Sequence, residues 1–333
     1  MNPLLYKDLL TSRGLTYHYY ASPATDSKLT LLFCHGFPST SRDWRHLVSF
    51  FQSRGYGIIV PDMLGYGGTD KPTEPKMYRH NLVCKDIIEI LDAEKVEKSV
   101  AIGHDFGSYV VSRLSNHYPE RFIAYAFFSV PFVRLVSAGV LKEMLADSKR
   151  RYGYDTIGYW TFLAEDGSEG IIESNWESFY SLIYPHDPEL WKTHIAPQGA
   201  MKESLLAGFK APLPKYLIEE DKEIASKALL GGGLSAPTCW FKAMLSGIED
   251  EDNEGIPETK IYPPTSCPIF FGAGNQDRVS ISDAGIKSFA HTCFENHDIT
   301  VGEYHADHWL ILSVPNEINR ELETWLESVV APA

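Results

Sequence analysis

The side chain with the clearest chemical potential is Asp105, in the stretch Gly103-His104-Asp105-Phe106-Gly107. An apolar run ends at Gly103 and a helical pattern begins after Gly107. This predicts a strand, a tight turn and a helix that present the central residue as a nucleophile. A carboxylate there is already ionised at neutral pH and needs no neighbouring base to activate it. We therefore expect Asp105 to attack an sp3 carbon, as in epoxide opening or halide displacement.

Two later residues could complete a reaction centre with Asp105. Asp277 and His308 each follow a predicted strand, in the chain order nucleophile, acid, histidine. We expect His308 to take a proton from the water that hydrolyses an ester on Asp105. Asp277 would orient His308 and stabilise its imidazolium. Helix capping is the alternative role for Asp105, and Asp277 could be an ordinary loop carboxylate. His305, in the same loop, is the alternative to His308.

An ester intermediate also needs hydrogen-bond donors for the oxyanion that develops as it is hydrolysed. The backbone N–H groups of Phe37 and Phe106 are the expected donors, since they lie after one strand and directly after the nucleophile. His35 and His104 flank these positions. We expect both histidines to border the site as supports and not to titrate in the reaction.

The elements that must position these residues follow from apolar runs that alternate with helical patterns. The pattern predicts a hairpin strand at 15–21, a helix at 81–92, a helix from 282 and a closing helix at 316–329. Buried strands are predicted at 29–34, 57–60, 98–102, 124–130, 268–272 and 298–301. Such alternation is typical of a doubly wound, mostly parallel sheet, in which ligands gather beyond the carboxyl ends of the strands.

The texture of the chain changes between residues 132 and 263, where it is helical and aromatic without strand–helix alternation. We therefore expect a helical cap domain over 132–263, inserted into a core formed by 1–131 and 264–333. The glycine-rich stretch 63–72 is predicted to be a surface loop. Glycines 231–233 are predicted to form a loop within the cap.

Composition bounds the class of protein. The chain has 333 residues, 44% of them hydrophobic, and a formal net charge of −14, which disfavours nucleic acid and anionic membranes as partners. No run reaches the roughly 18 apolar residues of a membrane span, and the N-terminus shows no secretory signal. Five scattered cysteines without a C-x-x-C pair indicate reduced thiols and a cytoplasmic location. No metal or other cofactor is expected.

Taken together, the motifs resemble the α/β-hydrolase superfamily and, within it, the soluble epoxide hydrolases. The matching stretches are His35-Gly36-Phe37-Pro38, 62–67, the turn at Asp105, 272–277 and His308-Trp309. The resemblance implies an α/β-hydrolase fold, an alkyl-ester mechanism at Asp105 and a cis bond between Phe37 and Pro38. It also implies a small lipophilic epoxide and water as the reactants, and it leaves a homodimer possible.

Members of this family use two cap tyrosines to protonate the leaving alkoxide, and the resemblance assigns the first of them to Tyr159. Phe241 stands at the second position and has no hydroxyl. Tyr159 would then act alone, or with a substitute; the sequence does not choose among Tyr154, Tyr180, Tyr184 and Lys242. The residues predicted to line the substrate pocket are His35, Pro38, His104, Trp160, Phe241 and Trp309.

Other functions of the same scaffold stay open. Haloalkane dehalogenases carry a tryptophan after the nucleophile, where this chain has Phe106. Fluoroacetate-type dehalogenases carry arginines there, whereas this chain has Phe106 and Tyr109. Phe241 also allows an altered reaction, such as ring opening with internal cyclisation or hydrolysis at a carbonyl. A protein that only binds an apolar ligand, like the hormone receptors of this superfamily, is the alternative to an enzyme.

Overall fold

The computed structural model describes residues 1–330, apart from the side chains at 141, 142 and 145, and is built on one eight-stranded sheet. The spatial order of the strands is β1-β2-β4-β3-β5-β6-β7-β8. Strands β3 to β8 pair in parallel, whereas β2 is antiparallel to both β1 and β4. The strands are β1 (Tyr6–Leu10), β2 (Thr16–Ser22), β3 (Thr30–Cys34), β4 (Gly57–Pro61), β5 (Ser99–His104), β6 (Phe122–Phe128), β7 (Ile269–Gly274) and β8 (Ile299–Tyr304). The predicted doubly wound, mostly parallel sheet is confirmed.

The central strands are apolar along their whole length because helices cover both faces of the sheet. Every residue of β4, β5 and β7 is buried. One helical layer contains α2 and α3, and the other contains α1 and α15. The helices of the core are α1 (Arg45–Gln52), α2 (His80–Ala93), α3 (Phe106–His117), α13 (Ser282–Phe289), α14 (Leu310–Ser313) and α15 (Pro315–Trp325).

Between β6 and β7 the described chain contains helices and no strand. This segment, which we call the helical segment, fits the expectation of a cap, although its predicted limits at 132 and 263 stay a prediction. Its helices are α4 (Ala138–Tyr152), α5 (Tyr159–Leu163), α6 (Ser168–Ser174), α7 (Trp176–Ile183), α8 (Trp191–His194), α9 (Ala200–Leu206), α10 (Glu219–Gly232), α11 (Ser235–Ser246) and α12 (Asp250–Glu254).

Helix α3 holds both ends of the helical segment. The Arg113 side chain donates to the carbonyl of Val133, and the Val133 N–H donates to Ser112 Oγ. The Asn116 amide donates to the carbonyls of Lys260 and Ile261, at 2.6 and 3.0 Å. The helix that starts at Asp105 therefore also grips the chain where it leaves the core and where it returns.

Two loop predictions are wrong. The stretch 63–72 is not a surface loop, because most of its first half is buried: Asp62 accepts the backbone N–H groups of Ser41 and Gly68, and Trp240 donates to the carbonyl of Leu64. The predicted loop at 231–233 is also wrong, because α10 continues through its first two glycines and ends at Gly232. No helix in the described part of the chain has the length and apolarity of a membrane span.

Candidate active site

Asp105 lies at the sharp turn between β5 and α3, with backbone angles φ 53° and ψ −123°. Such a positive φ is strained for a residue with a side chain and is held only by close packing around it. A Cβ on Gly107 would overlap the carbonyl of Cys34, and one on Gly103 would overlap the backbone of Gly107. The two glycines therefore let α3 approach β3 closely enough to hold the carboxylate above the strand ends.

The three residues predicted to react lie together at the carboxyl ends of the strands. His308 Nδ1 lies 2.7 Å from Asp277 Oδ2, and His308 Nε2 lies 3.4 Å from Asp105 Oδ2. Only 4% of the His308 side chain is exposed and none of the Asp277 side chain. The second Asp277 oxygen accepts the backbone N–H groups of Val279 and Ser280, both at 2.9 Å. Asp277 is thus fixed and points one oxygen at the imidazole.

The charges of this group support one another. Burial alone would lower the pKa of His308, but the carboxylates of Asp277 and Asp105 outweigh it and raise the pKa to about 10. Burial likewise opposes ionisation of Asp105, but the hydrogen bond and charge of His308 outweigh it and keep that pKa below its usual range. At neutral pH the site therefore holds an imidazolium between two carboxylates.

The loop after β3 also contacts the carboxylate of Asp105. The Phe37 N–H donates to Asp105 Oδ1 at 2.8 Å, and the Phe37–Pro38 bond is cis, as the resemblance implies. Gly36 leaves room for this contact, since a Cβ there would overlap the Asp105 side chain. Phe106 begins α3 directly after Asp105. The oxyanion role of these two N–H groups stays a prediction.

The two flanking histidines are neutral and occupied by backbone partners. His35 accepts the Met63 N–H at Nε2 and donates from Nδ1 to the carbonyl of Gly36. His104 donates from Nε2 to the carbonyl of His308 at 2.8 Å. Burial lowers the pKa of both His35 and His104 to about 4. Both side chains therefore brace the loops around Asp105.

A small cavity borders the Asp105 carboxylate. Its walls are mostly apolar. The lining residues are Phe37, Asp105, Tyr159, Ile183, Trp191, Ile195, Phe241, His308 and Trp309.

Tyr159 provides the free hydroxyl of this cavity. Trp191 and Trp309 also carry N–H donors, but these are spent on the carbonyls of Leu182 and Ile183, at 2.6 and 2.7 Å. No described hydrogen bond engages the Tyr159 hydroxyl, whose pKa is raised well above its ordinary value by burial and by the charge of Asp105. Tyr159 is therefore protonated and available as a donor to a substrate oxygen.

Several predicted residues do not line the cavity. They are His35, Pro38, His104 and Trp160, which are not among the lining residues. Tyr154 and Tyr184 donate to the carbonyls of Arg278 and Pro38, Lys242 pairs with Asp166, and Tyr180 is also absent from the lining. The candidate substitutes for a second hydroxyl are thus elsewhere, and Phe241 itself lines the cavity. His305 is exposed, with its ring near Gln276.

Sequence reasoning missed Ile183, Trp191 and Ile195, which line the cavity from the helical segment. The Trp191 ring lies 5.5 Å from the ring of His308. No motif marks these positions, since aromatic and branched residues in a helical stretch are ordinary core residues. Among the described residues, no group of three or more histidine, cysteine or acidic side chains could hold a metal ion.

The arrangement can carry out covalent hydrolysis at an alkyl carbon. Asp105 is a carboxylate that borders an apolar cavity, Tyr159 carries a protonated hydroxyl in the same lining, and His308 lies beside the carboxylate, which are the groups that such a reaction needs.

A family model described as the alpha/beta hydrolase fold matches residues 30–142. The solved structure "Epoxide hydrolase from an endophytic Streptomyces" has the same fold, with a TM-score of 0.79, 23% identity and coverage of 96% of this chain and 94% of that chain. An epoxide hydrolase of Caballeronia sordidicola is 36% identical over 213 residues, 62% of this chain and 60% of that protein. This chain spans less than two thirds of the length of several such relatives.

Another relative matches nearly the full length of this chain. Epoxide hydrolase 3 of Siraitia grosvenorii is 35% identical over 329 residues, which are 95% of this chain and 96% of that protein. The chain belongs to the epoxide hydrolase family, within the α/β-hydrolase fold.

Proposed function

We propose that this protein hydrolyses a lipophilic epoxide to a vicinal diol through an ester of Asp105. The observation that carries the proposal is one cavity that brings together an ionised Asp105, the His308–Asp277 pair and the unengaged hydroxyl of Tyr159. The apolar walls favour a lipophilic substrate. Membership of the epoxide hydrolase family supports the same reaction.

In the first step a carboxylate oxygen of Asp105 attacks a ring carbon of the epoxide. A carbon–oxygen bond of the ring breaks, and the alkoxide that leaves takes the proton of Tyr159. The products are a hydroxyalkyl ester of Asp105 and a tyrosinate. An alkoxide is a poor leaving group, so this proton transfer is what makes the opening fast.

In the second step water attacks the carbonyl carbon of the ester while His308 removes its proton. The N–H groups of Phe37 and Phe106 stabilise the oxyanion, and its collapse releases the diol and restores the carboxylate. Before this step the His308 imidazolium gives its proton to the tyrosinate of Tyr159, so His308 enters the step as a neutral base. The proton that His308 then takes from water restores the imidazolium, and both groups are back in their starting state. The sum of the two steps is epoxide plus water to diol.

The change in charge at Asp105 converts His308 from a cation to a base. The carboxylates of Asp277 and Asp105 both raise the pKa of His308 in the free enzyme. Ester formation removes the charge of Asp105, so only Asp277 still favours the imidazolium, and the pKa of His308 falls. The imidazole can then accept the proton of water.

Halide displacement is the other reaction open to an aspartate nucleophile, and the donors of the cavity argue against it. A leaving halide needs unengaged N–H donors, and those of Trp191 and Trp309 are hydrogen-bonded to backbone carbonyls. Release of halide from chloroalkanes would favour the dehalogenase. The altered reactions that Phe241 allows would be seen as products other than diols.

We infer a cytoplasmic location, supported by five free cysteines, because thiols stay reduced in that compartment. A homodimer stays a prediction.

Trapping the intermediate tests the proposed reaction. The His308→Gln variant is incubated with an aryl epoxide and analysed by intact mass and peptide mapping. The expected result is one adduct, with the mass of the epoxide, on the peptide of Asp105. The double variant with Asp105→Asn should show no adduct. Diol formation by Asp105→Ala at the wild-type rate, or an adduct on another residue, would defeat the proposal.

A further inference from the structure

Because residue 241 is a phenylalanine, the cavity contains one hydroxyl, whereas the proposed reaction could use two donors to the epoxide oxygen. The ring of Phe241 lines the cavity and packs edge to face against Phe37 and Phe106, at 4.8 and 4.9 Å between ring centroids. Tyr159 faces it at 6.4 Å. When Tyr159 gives its proton to an alkoxide, a tyrosinate is left in an apolar surrounding. A buried charge of this kind needs a hydrogen-bond donor.

The group next to Tyr159 with an unused donor is Trp160. Its side chain is 4% exposed, and its indole N–H is buried and makes no hydrogen bond with the described residues. A buried donor without a partner costs free energy, so it calls for an explanation. The indole is held firmly, stacked on Phe106 at 5.5 Å and edge to face on Phe241 at 5.6 Å.

The Trp160 indole and the Tyr159 phenol pack against the same side chain, with ring centroids 5.6 and 6.4 Å from that of Phe241. Burial and the charge of Asp105 raise the pKa of Tyr159, and the Trp160 N–H opposes them by favouring the tyrosinate. The unpaired indole N–H and the phenol hydroxyl are therefore carried by neighbouring rings of α5 that meet at Phe241, and the hydrogen bond between them is not formed in the resting geometry. Contacts of this kind are often loose in the free enzyme and tighten when charge develops.

We propose that the Trp160 indole N–H donates a hydrogen bond to the Tyr159 oxygen as that oxygen loses its proton, and so replaces the missing second hydroxyl. Trp160 is then a positioning residue that acts through Tyr159, since it does not line the cavity. An interaction that is absent in the resting enzyme and formed as charge develops lowers the barrier of the step. The inference rests on the proposed function.

Two other tryptophans supply a matched control. Trp44 and Trp325 also have buried indole N–H groups without a hydrogen-bond partner among the described residues. Trp325 packs against Phe270 in the core, on α15. Trp160→Phe and Trp325→Phe therefore remove the same group from two places, of which one adjoins Tyr159.

The test is single-turnover kinetics with an aryl epoxide, in which ester formation and ester hydrolysis are followed separately. We expect Trp160→Phe to slow ester formation by roughly tenfold. Removal of a donor to the reacting oxygen itself would slow this step more. The rate of ester hydrolysis should be unchanged. Trp325→Phe should change neither rate. In a Tyr159→Phe background, Trp160→Phe should add no further loss, because the partner of the N–H is gone.

A shape-preserving change separates the N–H from packing. Benzothienylalanine at 160 replaces the N–H by sulfur and should slow ester formation as Trp160→Phe does. The proposal is overturned if this isostere forms the ester at the wild-type rate, or if Trp160→Phe causes the same loss with and without Tyr159. If the wild type forms no ester at all, the proposed function fails instead, so the two failures are distinguishable.

Discussion

Asp105 and His308 each favour the charged form of the other, and the proposed reaction depends on the loss of one of these charges. Their closest atoms are 3.4 Å apart, and each shifts the pKa of the other toward the charged form despite burial. In the proposed reaction, conversion of Asp105 to an ester would remove one charge and release the imidazole to act as a base. At the residue scale, the site is therefore a pair of charges that the substrate itself switches.

Neutralising Asp105 without substrate should reproduce that switch. In Asp105→Asn the pKa of His308 should fall below its wild-type value of about 10, because one of the two carboxylates that favour the imidazolium is gone. Nitrogen-15 NMR of the ring through a pH titration measures the change. An unaltered pKa would contradict the account.

The same pair makes stability depend on pH, with a definite sign. The folded pKa of His308 lies above its ordinary value of 6.5, so its contribution to stability is full below that value and is lost as pH rises through about 10. Thermal unfolding of the wild type and of His308→Gln should therefore differ most at neutral to mildly acidic pH and converge at alkaline pH. A difference that grows with rising pH would show that the sign is wrong.

A hydroxyl on residue 241 should speed the epoxide-opening step. Phe241→Tyr places a second donor at the cavity wall, and we expect ester formation to rise by up to about 10- to 100-fold. Phe179→Tyr is the control, because Phe179 also packs against Phe37 but does not line the cavity. If Phe241→Tyr brings no gain, another group already supplies all the stabilisation that the oxygen needs.

At the scale of elements, the turn between β5 and α3 decides where the nucleophile stands. Its geometry depends on glycines whose neighbours are backbone atoms of β3 and α3, which cannot give way as a flexible side chain can. This is why the pattern around Asp105 was informative in the sequence. Small residues are required there by local contacts, and local requirements are visible in a single chain.

Filling that space should displace the turn. Gly107→Ala puts a Cβ onto the carbonyl of Cys34, and we expect a loss of about 1–3 kcal/mol or more in the free energy of unfolding, with a steep loss of activity. Gly170→Ala is the matched control, because Gly170 lies in α6 with open space around it and alanine favours helix there. Urea denaturation and diol formation measure both effects; equal results for the two variants would contradict the account.

Elements defined by distant contacts were harder to predict. Buried apolar runs predicted the parallel strands well, because each run is hydrophobic by itself. Strand β1 escaped prediction, since Tyr6–Leu10 lies at the sheet edge and is only partly buried. The stretch 63–72 is buried by hydrogen bonds that involve Asp62 and by Trp240 from the helical segment, and nothing within the stretch reveals those partners.

At the scale of the whole molecule, the site is complete only when the helical segment sits on the core. The core provides Asp105, Asp277 and His308, whereas the helical segment provides Tyr159 and most of the opposite wall. This division determines which residues of the cavity can be recognised from the sequence alone. The motif residues of the core are recognisable in the sequence and lie together in the structure, whereas Ile183, Trp191 and Ile195 were missed because their place in the cavity wall depends on long-range docking.

Loosening the grip of α3 on the helical segment should affect one half-reaction more than the other. Asn116→Ala removes the hydrogen bonds to the carbonyls of Lys260 and Ile261 and should cost about 1–3 kcal/mol of stability, because those buried partners are left unpaired. Ester formation, which needs Tyr159, should slow more than ester hydrolysis.

The control for that experiment is Asn319→Ala. Asn319 is also buried and lies on α15. Among the described residues, it makes no hydrogen bond to Val133, Lys260 or Ile261, which α3 contacts. It should leave the ratio of the two rate constants unchanged. Equal slowing of both steps in Asn116→Ala would show that α3 does not set the position of Tyr159.

Single turnover in 18O-labelled water tests the central claim most directly. With enzyme in excess over an aryl epoxide, the first diol should carry unlabelled oxygen from the carboxylate, and the peptide that contains Asp105 should gain the label. The opposite result, label in the first diol and none in Asp105, would mean that water attacks the epoxide directly and that no ester forms.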